Sequence, residues 1–110
     1  MKILLDENID VRFKKEFLKE FEVFTVKDMG WNGIKNGKLI ELITTHEFDF
    51  WIVVYKNISY QQNLKNISFT IIVLDVFRNT LERIQKLLPR ILLVLQANAL
   101  DKVIVIAEEK

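Results

Sequence analysis

Asp6-Glu7-Asn8 places three oxygen-bearing side chains directly after a short apolar run, Ile3-Leu4-Leu5. Further along, Asp28 and Asp75 each follow an apolar stretch in the same way, and Asn36 and Glu41 lie in a segment with helical spacing. Carboxylates drawn together repel one another, so they either raise a pKa or hold a cation. With no cysteine and a single histidine, His46, an all-oxygen site suits magnesium or manganese best. Helix capping explains one acidic residue after a strand equally well, and Asp75 is the one most simply read as structural. Capping needs only one such side chain, so the triplet at Asp6 is the strongest candidate for chemistry.

The elements that must position these residues can be read from the periodicity. Ile3-Leu4-Leu5 lacks alternation, as does Phe50–Val54 and the run 69–74. Such runs fit strands buried on both faces of a parallel sheet. Residues 22–26 and 103–106 read as two further strands. Between them, residues 10–21 carry Phe13, Phe17 and Phe21 at helical spacing, with lysines and glutamates on the other side. After a loop at 29–35, Asn36 is a plausible helix N-cap, with Leu39, Ile40 and Ile43 forming a core stripe. Residues 60–65 suggest a short polar helix or turn. Asn79 with Glu82 resembles a capping box that opens a long amphipathic helix from Leu81 to Leu95. Pro89 should kink that helix or split it. The alternation of strands and helices predicts an α/β fold: one domain over 1–110, about five mostly parallel strands, helices on both faces, and right-handed crossovers. In such sheets ligands bind beyond the carboxyl ends of the strands, which is where Asp6, Asp28 and Asp75 fall.

Composition narrows the class. The 110 residues are 50% hydrophobic and 28% charged, which suits one ordinary globular domain. A formal net charge of +1 offers no bulk attraction for nucleic acid, so any such affinity needs a local basic face or bound ions. The lack of cysteine excludes disulfides and thiolate chemistry. Apolar runs such as 91–95 are far too short for a bilayer, and the N-terminal residues lack the apolar core of a secretion signal. A cytosolic protein without membrane contact is the simplest expectation. His46 is read as a helix-end residue, Trp51 as core and Trp31 as a partner-contact anchor in a glycine-bordered loop. The glycines at 30, 33 and 37 match no phosphate-binding spacing.

Four segments together resemble a known family: Lys2-Ile3-Leu4-Leu5-Asp6-Glu7-Asn8, Asp28-Met29-Gly30-Trp31, Lys35-Asn36-Gly37 and Asn57-Ile58-Ser59-Tyr60-Gln61-Gln62-Asn63. The chain resembles the small PIN-like proteins that act as toxins in bacterial toxin–antitoxin pairs, over residues 2–106. The resemblance implies a three-layer, Rossmann-like α/β fold and a magnesium- or manganese-dependent ribonuclease, cytosolic, acting on RNA and restrained by a cognate antitoxin. It implies Asp6 as first metal ligand, with Asp28 and Glu41 as acidic support. Asp6 and the positions of Tyr55 and Asn57 carry the catalytic pattern. Glu7, Asn8, Asn36, Lys56, Tyr60, Gln61, Gln62 and Asn63 flank it.

One departure matters most. Members of the family usually carry an aspartate after the third strand, in a pattern like Thr-Val-Asp-Lys-Asn, whereas this chain reads Val53-Val54-Tyr55-Lys56-Asn57. A phenol with a reference pKa of about 10 supplies no carboxylate at neutral pH, so metal affinity and activity should both fall. Two alternatives stay open beside a ribonuclease weakened by Tyr55. One is a non-catalytic PIN-like module that binds RNA or a protein partner. The other, disfavoured by Tyr55, is a receiver-type phosphate switch. The stripe from Leu81 to Leu95 would serve a homodimer or an antitoxin helix, and covering the sheet accounts for it equally well.

Overall fold

The structure is a computed structural model that describes residues 1–17, 19–54, 67–97 and 101–109, the side chain of Asn36 excepted. Five strands form one parallel sheet: β1 (Lys2–Leu5), β2 (Glu22–Thr25), β3 (Phe50–Val54), β4 (Thr70–Asp75) and β5 (Val103–Ala107), in the order β2-β1-β3-β4-β5. The expected α/β class is therefore what the chain adopts. The unbroken apolar runs have the predicted cause. Ile3, Leu5, Ile52, Ile72 and Leu74 enter a core on one face of the sheet, here the first face. Their neighbours Leu4, Trp51, Val53, Ile71 and Val73 enter a separate core on the second face.

A 3-10 helix (Val11–Glu16) covers the first face between β1 and β2, with only Phe13 of its residues buried. The twelve-residue α-helix expected over 10–21 does not form. Such a helix would be about 18 Å long, whereas a four-residue strand spans about 13 Å. Six residues at 3-10 rise cover about 12 Å and match the strand. Phe17 then turns extended, leading back toward β2.

Two helices follow β2: α1 (Val26–Met29), closed by Gly30 in the left-handed region at φ 73°, and α2 (Asn36–Thr45). Lys35, without a side-chain cap, precedes α2, and Asn36 is its first residue rather than the expected N-cap. Leu39 and Ile43 of α2 pack on the second face. After β4 come α3 (Leu81–Gln85) and α4 (Leu88–Gln96), the long amphipathic helix split in two with Pro89 in the first turn of α4. Proline is tolerated there because the first-turn amides have no intrahelical acceptor. Thr80, not Asn79, caps α3, accepting from the Arg83 N–H at 3.3 Å.

Ile84, Ile91 and Leu95 of these helices lie on the first face, together with the 3-10 helix. The β2→β3 crossover carries its helix on the second face and the β4→β5 crossover carries its helices on the first, although both move toward the β5 edge. These two crossovers therefore have opposite hands, which corrects the expectation of one common hand. The short 3-10 helix leaves the first face of β3, β4 and β5 uncovered, and the apolar stripe of α3 and α4 fills that space. Among the described residues, no helix is long and apolar enough to cross a membrane.

Candidate functional site

The strand order places a switch point between β1 and β3, because the chain leaves β1 toward one edge and returns past it to form β3. Crevices at such points, beyond the strands' carboxyl ends, are the usual ligand sites of open parallel sheets. Asp6 stands there, directly after β1. Its backbone N–H donates to Ile52 O at 3.0 Å, and its own carbonyl accepts from Ile9 N–H at 3.0 Å. Those two bonds hold the turn that carries Glu7 and Asn8.

Asp6 is 7% exposed, and with Thr25 it makes up the buried polar residues of the chain among those described. Burial pushes its pKa up from 3.8 to about 6, because a desolvated carboxylate loses the hydration that favours its charge. The Glu7 carboxylate adds to the rise. The Glu7 backbone N–H, the Trp51 indole and the Asn8 side chain oppose it. The indole N–H approaches the Asp6 carboxyl closely enough to favour the charged form, yet no hydrogen bond of acceptable geometry closes, so Trp51 Nε1 is buried without a partner among the described residues. Orphaned buried donors are rare in folded proteins, and this one lies beside the chain's most desolvated carboxylate.

The expected acidic companions do not gather around Asp6. Asp28 lies in α1 rather than at the end of β2. Its carboxylate accepts from Thr25 N–H at 2.9 Å in a reciprocal capping box and from Lys14 Nζ at 2.8 Å. The Lys14 contact, foremost, holds its pKa below the usual range. Glu41 is exposed on α2 beside Lys38 at 3.5 Å. Glu7 is exposed and accepts a long 3.4 Å bond from Gly33 N–H. Asp75 ends β4, two strand spacings from β1, a separation of roughly 9–10 Å. Among the described residues no three acidic or histidine side chains are grouped closely enough to hold a metal ion. The convergence expected of Asp6, Asp28 and Glu41 is thus not met by the described side chains. Local capping and nearby lysines have taken the carboxylates that were to join Asp6.

Tyr55, Lys56, Asn57, Tyr60, Gln61, Gln62 and Asn63 lie outside the described residues, as does the Asn36 side chain. Two aromatic expectations resolve differently. Trp51 is core, as expected. Trp31 is buried rather than presented to a partner, with its ring edge-on to His46 at 5.0 Å and to Phe48 at 6.0 Å. His46 caps the end of α2, its Nδ1 2.9 Å from Leu42 O.

Glu7 and Asn8 are expected beside Asp6, whereas Asp10, Arg12, Asn79 and Thr80 join them on the rim without having been singled out for the site. A cleft of about 540 Å3 opens beside the β1 turn, lined by Glu7, Asn8, Asp10, Arg12, Asn79 and Thr80. Asn79 Nδ2 donates to Asn8 O at 2.6 Å and ties the loop after β4 to the loop after β1. Arg12 is held in a fork by Asp10, at 3.0 and 2.6 Å, so its charge is already neutralised. Beyond Asn79, Phe77 is 76% exposed, with the Arg78 and Arg83 guanidinium groups 5.9 and 5.7 Å from its ring centre. The signal lies in Val76-Phe77-Arg78-Asn79, an aromatic and a cation just past a strand end, where Asn79 also fits the pattern of a helix cap. No family model, no curated protein and no solved structure matches this chain.

Proposed function

We propose that this chain is a PIN-like domain of the toxin type, a ribonuclease scaffold centred on Asp6 whose hydrolytic power is reduced by Tyr55. The observation that carries this reading is the buried Asp6 carboxyl at the β1/β3 switch point, with its pKa pushed up to about 6. A carboxylate kept from water in this way gains most from a cation or a donor arriving with the ligand.

The described residues do not by themselves fit a resident magnesium or manganese ion. Asp6 is the one carboxylate among them that is drawn inside, and hard cations take several oxygens. What these residues can do is bind. Asp6, Asn8 and Asn79 offer acceptors and donors along the rim, and Phe77 offers a ring face flanked by two guanidinium groups, of which Arg83 is paired with Glu108 at 2.7 Å. Unpaired bases stack on aromatic rings of this kind, with arginine adding cation–π attraction. RNA is the substrate class, the cytosol the compartment, and a cognate antitoxin the restraining partner.

The test is Tyr55→Asp, with manganese binding measured by calorimetry and cleavage of an unstructured RNA measured beside it. The restored carboxylate should give metal binding and metal-dependent cutting well above the parent protein, and its expression should slow growth. A variant that binds no manganese and leaves RNA and growth unchanged would falsify the ribonuclease reading. Tight manganese binding by the parent protein would overturn the part assigned to Tyr55.

The lack of a carboxylate cluster among the described residues favours a second reading, a non-catalytic PIN-like module that holds RNA or a protein partner. Binding of the same RNA in the presence of a chelator, with no cutting by parent or variant, is its signature.

A further inference from the structure

We infer that β5 is a self-pairing edge, through which two copies of this chain join in one continuous ten-stranded sheet. The hydrogen-bond parity of β5 decides which of its groups are available. Ile71 N–H donates to Lys102 O at 2.8 Å and Glu108 N–H donates to Asp75 O at 3.1 Å, with Ile104 and Ile106 in register between them. Even-numbered residues therefore spend their backbone groups on β4, and Val103, Val105 and Ala107 turn theirs outward. Among the described residues no strand lies beyond β5. Arg90 donates to the Ala107 carbonyl, which retains a second lone pair.

Apart from Arg90 on the Ala107 carbonyl, the strand carries none of the usual protection against pairing. Val-Ile-Val-Ile-Ala is β-branched almost throughout, without proline or an internal charge, and edges of that kind recruit further strands. The opposite edge, β2, is a residue shorter and begins on Glu22. Val105 is 50% exposed on the second face, where the reversed hand of the last crossover puts α3 and α4 on the other side.

The sequence around β5 is complementary to itself in one antiparallel register. With the twofold axis at Val105, Val105 faces its own copy and Val103 faces Ala107, so all outward groups meet in hydrogen-bonded pairs. Ile104 then lies opposite Ile106, and Lys102 opposite Glu108. Moving the register by one residue per strand loses this: one choice sets Lys102 against Ile106, the other sets it against Lys110. Lys102 has no ion pair among the described residues, whereas Glu108 is held by Arg83 at 2.7 Å and by the Phe77 N–H, so Lys102 of a second copy joins that carboxylate as a second cation. The pairing holds whether or not the domain cuts RNA.

The chain has no cysteine, so a single introduced thiol reports the axis. Val105→Cys should cross-link to a disulfide dimer under mild oxidation roughly tenfold or more faster than Val103→Cys or Lys102→Cys, because only residue 105 meets itself. The parent protein should show a concentration-dependent dimer by sedimentation equilibrium. Val105→Pro removes an outward N–H that β4 does not use and should weaken the dimer roughly tenfold or more, and Val105→Lys should do the same with the fold unaltered. A parent protein that stays monomeric at all concentrations, or equal cross-linking at 103 and 105, overturns the inference. Pairing with a strand of another protein but not with itself also overturns it.

Discussion

The indole N–H of Trp51 is buried beside the carboxyl group of Asp6 and, among the described residues, completes no hydrogen bond. Leu4 and Trp51 are in register on the second face, so strand alternation carries Asp6 to the same side as the indole. The pair is a poised contact. A buried donor without an acceptor and a carboxyl short of hydration each cost stability, and a ligand that supplies a cation or a further donor to Asp6 relieves the larger of the two.

Asp6→Asn should stabilise the protein near neutral pH. A carboxyl whose folded pKa exceeds its unfolded value makes the folded state the stronger proton binder between those values, so stability falls as pH rises from 3.8 to about 6 and is level above that. Asparagine removes the penalty, for a gain on the order of 2 kcal/mol at pH 7 that vanishes near pH 4. Thermal melts at several pH values measure the gain; an equal difference at pH 4 and pH 7 would count against this assignment of the burial cost.

Trp51→Phe removes the one indole donor that favours ionised Asp6. The Asp6 pKa should therefore rise further, as read from the carboxyl carbon shift in an NMR titration. An unchanged or lower value would mean that the indole has no electrostatic hold on Asp6.

Phe77→Ala should leave stability within about 0.5 kcal/mol, because the ring is mostly in solvent. If the rim holds unpaired RNA, the same change should weaken binding of an unstructured oligonucleotide by roughly tenfold or more. Fluorescence anisotropy with and without a chelator separates this effect from any cutting. Equal affinity for both proteins would remove Phe77 from the proposed surface.

Trp31→Ala should cost about 3–5 kcal/mol of folding stability, the usual range for emptying a packed aromatic site. Its ring is packed against Phe48 and His46, between α2 and the sheet. Chemical denaturation checks the size of the loss. A loss below 1 kcal/mol would return Trp31 to the role of an exposed contact residue.

Much of the architecture was readable from the order of residues. Unbroken apolar runs at Ile3-Leu4-Leu5, Phe50–Val54 and 69–74 announced strands covered on both sides, Pro89 announced a broken helix, and Asp6 was marked by standing at the end of the first run. Burial and period are local properties, and a chain states them locally. The length of the 3-10 helix, the capping of α3 by Thr80 and the burial of Trp31 were not readable, because each depends on how far one element must reach to meet another.

Only the tertiary structure decided which strands are neighbours. The order β2-β1-β3-β4-β5 puts Asp75 two spacings from β1, and the turn after β2 gives Asp28 to Thr25 and Lys14. The same folding fixed the hand of the last crossover and the outward parity of Val103, Val105 and Ala107 on β5. A sequence records which residues prefer to be inside and at what period. Which carboxylates share a rim, and which backbone groups are left facing water, follows from the pairing of segments far apart in the chain, where geometry rather than preference makes the choice.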